Sequence, residues 1–251
     1  MKFTLRHAGP PAGALIAALF LGACADEEPP TSAVFRAPPW AAPETYQYRV
    51  TDRGVDGEGR CTLSTTPNAE PGRTLLERRC TKDEFGDSGE ALVQSETLTP
   101  VRSERLLTDS KKQKSVDHTV AYDTGVATFT THDGDDLRET TRDLPEPSEG
   151  GSPDWYDDES IIWMVRGIEL RAGYRAAYHH IINAGQPRIL VVELAVSGPD
   201  RVKVPAGEFT AWRVRVQRSD SSYFFWVTQD APHTVVQAKI EEVTYSLLSE
   251  K

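Results

Sequence analysis

Three groups of residues in this 251-residue chain have types and spacings that could do chemistry. The first is the acidic run Asp154, Asp157, Asp158 and Glu159. Carboxylates gathered in this way can hold a hard cation or act as an acid–base pair. This run lacks the fixed spacing of a calcium loop. It also stands directly before the apolar residues Ile161 to Val165, where acids serve to cap a helix, and capping is the more economical account. Asp133-Gly134-Asp135-Asp136 reads as a turn, since the interleaved ligands and closing Glu of an EF-hand are missing. The second group is His179 and His180. In an extended run adjacent side chains point to opposite faces, so the two cannot share a metal. His118, His132 and His233 are scattered among polar strands and turns, and a turn-capping role suits His233. The third group is the cysteines, and after Cys24 these are only Cys61 and Cys80. The chain has no Gly-x-Ser-x-Gly, no phosphate-binding Gly-rich loop and no His-Glu-x-x-His. The expectation is a protein without metal, cofactor or catalytic residues.

The aromatic residues are more suggestive. Trp212, Tyr223, Phe224, Phe225, Trp226, Tyr174 and Tyr178 come from neighbouring strand-like runs, and Trp163 from a helix-like one. The run Ser222 to Val227 is apolar on both faces, so its second face needs a cover. Either the segment carrying Trp163 supplies that cover and the core is closed, or an apolar cavity exists that accepts a lipid, an acyl chain or a partner peptide. On the second reading the ligand-binding residues are Trp163, Tyr174, Tyr178, Trp212, Tyr223, Phe225 and Trp226.

These residues must be positioned by strands. Tyr46, Tyr48 and Val50 alternate with polar residues, as do Trp212, Val214 and Val216, and that period of two marks half-buried strands. Further strands are expected over Arg60–Thr66, Thr74–Lys82, Ala91–Thr97, Arg102–Leu107, Val116–Tyr122, Val126–Thr131, Leu137–Arg142, Tyr174–Ile182 and Arg188–Val196. Asp123-Thr124-Gly125 and Asp133-Gly134 supply hairpin turns. Cys61 and Cys80 fall on the two arms of one hairpin. In an exported protein such a pair is usually oxidised, and a metal site would need further ligands that are not evident. Residues 144–154, rich in Pro and Gly, form a hinge-like loop. A short helix over Asp158–Arg166, ended by Gly167, would place Ile161, Met164 and Val165 on one face. The fold class is therefore all-β and mainly antiparallel: a curved sheet or half-open barrel of about ten to twelve strands covered by one short helix.

The run Val202-x-Val-Pro-Ala-Gly-Glu-Phe-x-Ala-Trp-x-Val214, followed by Phe225-Trp226-Val227 and Ala231-Pro232-His233-x-Val-Val236, resembles the C-terminal signature of an uncharacterised family of bacterial envelope proteins, known only as a domain of unknown function. It is distantly similar to the half-barrel carriers and receptors of lipoproteins, of LolA and LolB type. The match covers about residues 155 to 248. The resemblance implies a fold and carries no catalytic residues with it.

Lys2 and Arg6 precede a short apolar run from Ala12 to Leu21, the pattern of a secretory signal and too short for a membrane span. It ends in Leu21-Gly22-Ala23-Cys24, small residues before a cysteine of the kind a lipoprotein signal peptidase reads; the resemblance implies that Cys24 is lipidated. Ordinary secretion, with cleavage near Ala23 or Ala25, is the alternative. The division expected is a leader over 1–23, a Pro-rich acidic tether over 24–44 on which Trp40 docks to the domain edge, and one β domain over 45–251. Loss of Lys2 and Arg6 with the leader takes the 28 basic residues to 26 against 38 acidic ones, a net charge of −12. So acidic a chain is a poor partner for nucleic acid. The reading is a non-enzymatic outer-membrane lipoprotein of the cell envelope that binds an apolar ligand or an envelope protein. The alternatives are an assembly factor acting through a sheet edge, or a hydrolase using the acids near Asp157.

Overall fold

The structure, a computed structural model, describes residues 34–53, 55–147, 153–219 and 221–250. The expected leader over 1–23 and Cys24 lie outside the described residues, as does the middle of the 144–154 loop. Among the described residues the chain forms β1 (Glu44–Asp52), β2 (Val55–Glu70), β3 (Arg73–Lys82), β4 (Phe85–Gln94), β5 (Pro100–Asp109), β6 (Lys114–Asp123), β7 (Val126–Asp133), β8 (Asp136–Asp143) and β9 (Trp155–Asp157). The helix α1 (Ile161–Met164) follows, and then β10 (Arg175–Ile182), β11 (Arg188–Val204), β12 (Gly207–Gln217), β13 (Ser222–Thr228), β14 (Val235–Ile240) and β15 (Val243–Glu250). All the strands join one sheet in the order β8-β7-β6-β5-β4-β3-β2-β1-β15-β14-β13-β12-β11-β10-β9. Every pairing is antiparallel except that of β9 with β10.

Alternation decides which side chains face inward. On β13, Tyr223, Phe225 and Val227 are buried while Phe224 and Trp226 are not. On β12, Val214 and Val216 are buried and their neighbours are not. The sheet has two free edges, β8 and β9, yet it is rolled. β6 and β9 stand twelve strand steps apart, about 58 Å across a flat sheet at the usual strand spacing. The rings of Tyr122 on β6 and Trp155 on β9 are nevertheless stacked with centroids 5.3 Å apart. Val120, Ala127, Phe129, Leu144, Trp155 and Ile181 form a small apolar cluster along this seam, and a larger core fills the interior. The half-open barrel expected from the sequence is thus found, with its seam closed by side chains.

Fifteen strands exceed the ten to twelve expected. β9 is three residues long, in a place where the sequence indicates only loop and acids. β11 runs unbroken through Ser197-Gly198-Pro199-Asp200, because a bulge absorbs Gly198 between Ser197, opposite Arg213, and Pro199, opposite Trp212. The helix is shorter than the Asp158–Arg166 expected. The backbone at Asp157 is held extended against β10, and the Asp158 N–H donates to the Ile181 carbonyl at 3.0 Å, so no helix can begin until Ser160. After Met164 the turn tightens, with the Arg166 and Gly167 N–H groups bonding three residues back. Ile161, Ile162, Trp163 and Met164 are all buried, so α1 shows no single apolar face and is instead a plug inside the barrel.

The chain from Val34 onward belongs to the domain rather than to an extended tether. Val34, Phe35 and Trp40 are buried. The Arg36 N–H donates to the Gly167 carbonyl at 2.8 Å, and the Phe35 N–H donates to the Tyr156 hydroxyl at 3.3 Å. Gly167 is needed for this approach, because a side chain there would collide with the Phe35 ring. Buried Arg166 locks the same end. It pairs with Glu44, donates to the Pro232 and His233 carbonyls at 3.0 Å each, and lies over the rings of Trp40 and Tyr46. Residues 34–43, α1 and Arg166 therefore stopper the end of the barrel at which β1 begins.

Candidate functional site

The other end of the barrel is open. Where β1 finishes, β15 begins and the β3–β4 and β5–β6 hairpins turn, a cup of about 550 Å³ enters the interior. Its walls are Val50, Leu107, Val116 and Val243, its floor is Cys80, Asp87 and Tyr245, and Phe85 stands on its lip. Phe85 is 55% exposed, a large apolar side chain left in solvent at the mouth. Cys80 is bonded to Cys61 directly across the β2–β3 ladder, with Cα atoms 4.0 Å apart, so the disulfide expected from the sequence stiffens this floor.

Beneath the floor lies a charged layer, and its placement follows from strand phase. Leu76, Arg78 and Cys80 share one face of β3; Asp87, Gly89 and Ala91 share one face of β4; Ser103, Arg105 and Leu107 share one face of β5. The register sets Arg78 opposite Gly89 and Gly89 opposite Arg105. Because Gly89 has no side chain, a notch is left between the two arginines. The Glu159 carboxylate, from the turn before α1, fills it, and any Cβ on Gly89 would collide with that carboxylate. Arg78 donates to Glu159 at 2.9 Å and to Asp87 at 2.8 Å. Arg105 makes a two-pronged contact with Asp87 at 3.1 and 3.0 Å. Burial alone would raise the Asp87 carboxyl; Arg78 and Arg105 outweigh it and hold it below the ordinary range. Two arginines and two carboxylates thus pair with one another beside a chamber of about 130 Å³, which Asp158 and Glu241 also line and which shares Asp87, Val243 and Tyr245 with the cup.

The three consecutive acids diverge. Asp157 accepts from the Tyr122 hydroxyl and from the Ser160 N–H, both at 3.0 Å, across the seam of the barrel. Full burial, with the charge of Glu159 added, pushes it up to about 6. Asp158 meets His180 Nε2 at 2.5 Å; burial would raise its carboxyl, and His180 more than compensates, leaving it lowered. Glu159 goes to Arg78. The acids therefore do not cap α1, whose N-cap Ser160 makes no side-chain cap bond. His179 and His180 do face opposite ways, the first to Asp154 at 3.2 Å and the second into the core. The His233 ring reaches the Thr228 carbonyl at 3.1 Å within its own turn. Among the described residues no three His, Cys, Asp or Glu side chains gather as a metal site.

The aromatic candidates are placed as follows. Trp163, Tyr174, Tyr178, Tyr223 and Phe225 are buried, while Trp212 and Trp226 are half-buried. Trp163 donates from Nε1 to the Thr65 hydroxyl at 2.9 Å and, with Tyr223, lines the charged chamber. Tyr178, His180 and Tyr223 form an edge-on stack deep in the core. Trp226 lies on the outer face beside Phe224, with Lys239 over its ring. None of these seven lines the cup. The residues that do line it are spread over six strands, from β1 to β15, so no single local run advertises the cavity.

The family model for a protein of unknown function, DUF3108, matches residues 47–244. The chain belongs to that family. No curated protein matches it. Among solved structures it is similar to a β-barrel-like protein of the domain of unknown function DUF1849 from Brucella abortus, at 10% identity and a TM-score of 0.53, over 86% of this chain and 98% of that one. At that identity the likeness speaks for the fold alone. The match of a DUF3108 chain to a barrel-like neighbour agrees with the rolled sheet.

Proposed function

We propose that this DUF3108 protein is a non-enzymatic, lipid-anchored protein of the cell envelope that binds an acyl chain in its open cup. The observation that carries the reading is the cup itself: an apolar cavity of about 550 Å³, within the range of small-molecule sites, open at one end of a barrel whose other end is stoppered. The basic start, the short apolar run and the Leu21-Gly22-Ala23-Cys24 sequence that ends it support the envelope and anchor parts of the proposal. Two competing readings lose ground. A hydrolase built on Asp157, Asp158 and Glu159 would need them to converge, and each is committed to a different partner. Assembly through the free edge at β8 is opposed by Asp136, Arg138, Glu139, Arg142 and Asp143, charges of the sort that blunt an edge against strand addition.

The test is to fill the cup. Leu107→Trp with Val116→Trp places two large rings in the cavity and leaves Arg78, Asp87, Arg105 and Glu159 themselves unaltered. The wild type should bind cis-parinaric acid and the double variant should not, with unchanged unfolding midpoints. No binding by wild type, or equal binding by the filled variant, refutes the site. The anchor is tested separately: Cys24→Ala should abolish labelled fatty-acid incorporation and release the protein from the membrane fraction.

A further inference from the structure

We propose that the occupant of the cup is a single-chain amphiphile with a zwitterionic head, held tail inward with the head at the lip; this rests on the reading of the cup as an acyl site. The walls are apolar and the charges sit at the mouth, carrying both signs. Asp52, Asp83 and Asp109 line the cavity together with Lys82 and Lys114. They come from three separate turns: Asp52 from the end of β1, Lys82 and Asp83 from the β3–β4 hairpin, Asp109 and Lys114 from the β5–β6 hairpin. The aspartate at the floor, Asp87, is already held by two arginines and is not available to a ligand. Of the lip charges, Lys114 pairs with Asp133 at 3.0 Å on the surface, where an ion pair contributes little and exchanges readily for a head group, while the largely covered Asp109 pairs with Lys112 at 3.1 Å and accepts from its N–H at 3.0 Å.

The sign pattern selects the ligand. A plain carboxylate head would gain Lys82 and Lys114 but would face three aspartates. A plain amine head would gain the aspartates and face the lysines. A head with a phosphate and an amine satisfies both sets at once, and like-charge repulsion at the lip works against either single-charge amphiphile. In the charged chamber below the floor each acid already has a partner: Asp87 and Glu159 have Arg78 and Arg105, Asp158 has His180 and Glu241 has Arg218, so the chamber asks for no further charge from the tail.

The experiment uses the full chain carrying Cys24→Ser, loaded with cis-parinaric acid and titrated with three competitors of equal chain length: myristoyl lysophosphatidylethanolamine, myristic acid and tetradecylamine. The zwitterion should displace the probe at least about fivefold more effectively than either single-charge competitor, a margin expected from one unmatched charge. Lys82→Met with Lys114→Met should weaken the zwitterion and strengthen the amine; Asp52→Asn with Asp83→Asn should weaken the zwitterion and strengthen the fatty acid. Equal displacement by all three, or an order unchanged in both variants, overturns the head-group assignment and leaves the cup as an acyl site. Absence of probe binding removes both.

Discussion

The notch at Gly89 gives a quantitative test of how the interior is held. Glu159→Ala deletes a carboxylate that is almost wholly buried and leaves Arg78, whose side chain is 11% exposed, without one of its two partners. Breaking a buried pair from one side costs roughly 3–5 kcal/mol. Arg78 keeps Asp87 at 2.8 Å and Arg105 keeps its two-pronged contact, so neither guanidinium is abandoned. The expected loss is therefore near the lower limit, about 3 kcal/mol. Gly89→Ala should cost a similar amount by another route, because its methyl group would occupy the position of the carboxylate; overpacking of this kind costs about 1–3 kcal/mol.

The decisive measurement is the double variant. Once Glu159 is alanine, the notch is empty and a methyl on Gly89 meets no carboxylate. Gly89→Ala should then be nearly neutral, so the cycle should return a coupling of about 1–3 kcal/mol. Urea unfolding would be followed by tryptophan fluorescence and by circular dichroism, and the two transitions should coincide for the arithmetic to hold. Additive single costs would mean that the Glu159 side chain is elsewhere in solution and that the charged layer is not built as described.

Three further outcomes follow from the same geometry. Asp157, raised to about 6, holds its proton more tightly folded than unfolded; its favourable contribution is complete below about pH 4, is lost as pH rises to about 6, and amounts to about 3 kcal/mol. Asp157→Asn should therefore be more stable than wild type at pH 8, with the gap closing between pH 6 and pH 4 in denaturation midpoints; a gap independent of pH would contradict the assignment. Phe225→Ala, at a fully buried ring, should cost about 3–5 kcal/mol, whereas Trp226→Ala on the outer face should cost about 1 kcal/mol or less and leave probe binding intact. Cys61 and Cys80 should resist thiol reagents until reduced, and Cys80→Ser should lower stability by about 3 kcal/mol, the entropy of closing a loop of this length.

The fold was legible in the sequence where alternation was strong. Val214 and Val216, or Tyr223 and Phe225, announce both a strand and its inward face. The plug α1 was misjudged because Asp157 and Asp158 look like caps, while their backbone is held by the distant strand β10. Only pairing across the fold reveals that. The aromatic cluster left a closed core and a cavity as alternatives in the sequence; in the structure Trp163, Tyr174, Tyr178, Tyr223 and Phe225 are buried, with the Trp163 segment inside the barrel. The charged layer left a partial signal. Arg78 falls in phase with Leu76 and Cys80, and Arg105 in phase with Leu107, although Leu75 and Leu106 occupy the opposite phase, so it is the burial of Leu76 in the fold that points both arginines inward. An inward arginine requires a buried partner, and Glu159 is that partner. The cup left no such signal, since Val50, Leu107, Val116 and Val243 come from four separate strands and meet only through topology.

That topology also bears on how a ligand would enter. The barrel has a seam, where β9 meets β6 through Tyr122, Trp155 and Asp157 without any ladder between the two strands. A seam of side chains opens more readily than a hydrogen-bonded wall, and it is a natural first suspect as a ligand gate. The cup does not lie there. Its lining comes from β1, β3, β4, β5, β6 and β15, which together with β2 form an unbroken stretch of the sheet from β6 to β15. Each wall strand is thus hydrogen-bonded to its neighbour, and the Cys61–Cys80 bond ties two of them again at the floor. The cavity is a preformed feature of the most continuous part of the sheet. Its free approach is along the barrel axis, past Phe85 and the hairpin tips, because the opposite end is filled by Phe35, Trp40, Arg166 and α1. Binding at such a site should need little rearrangement of the wall, and the seam, with its titrating aspartate, can govern stability without governing access.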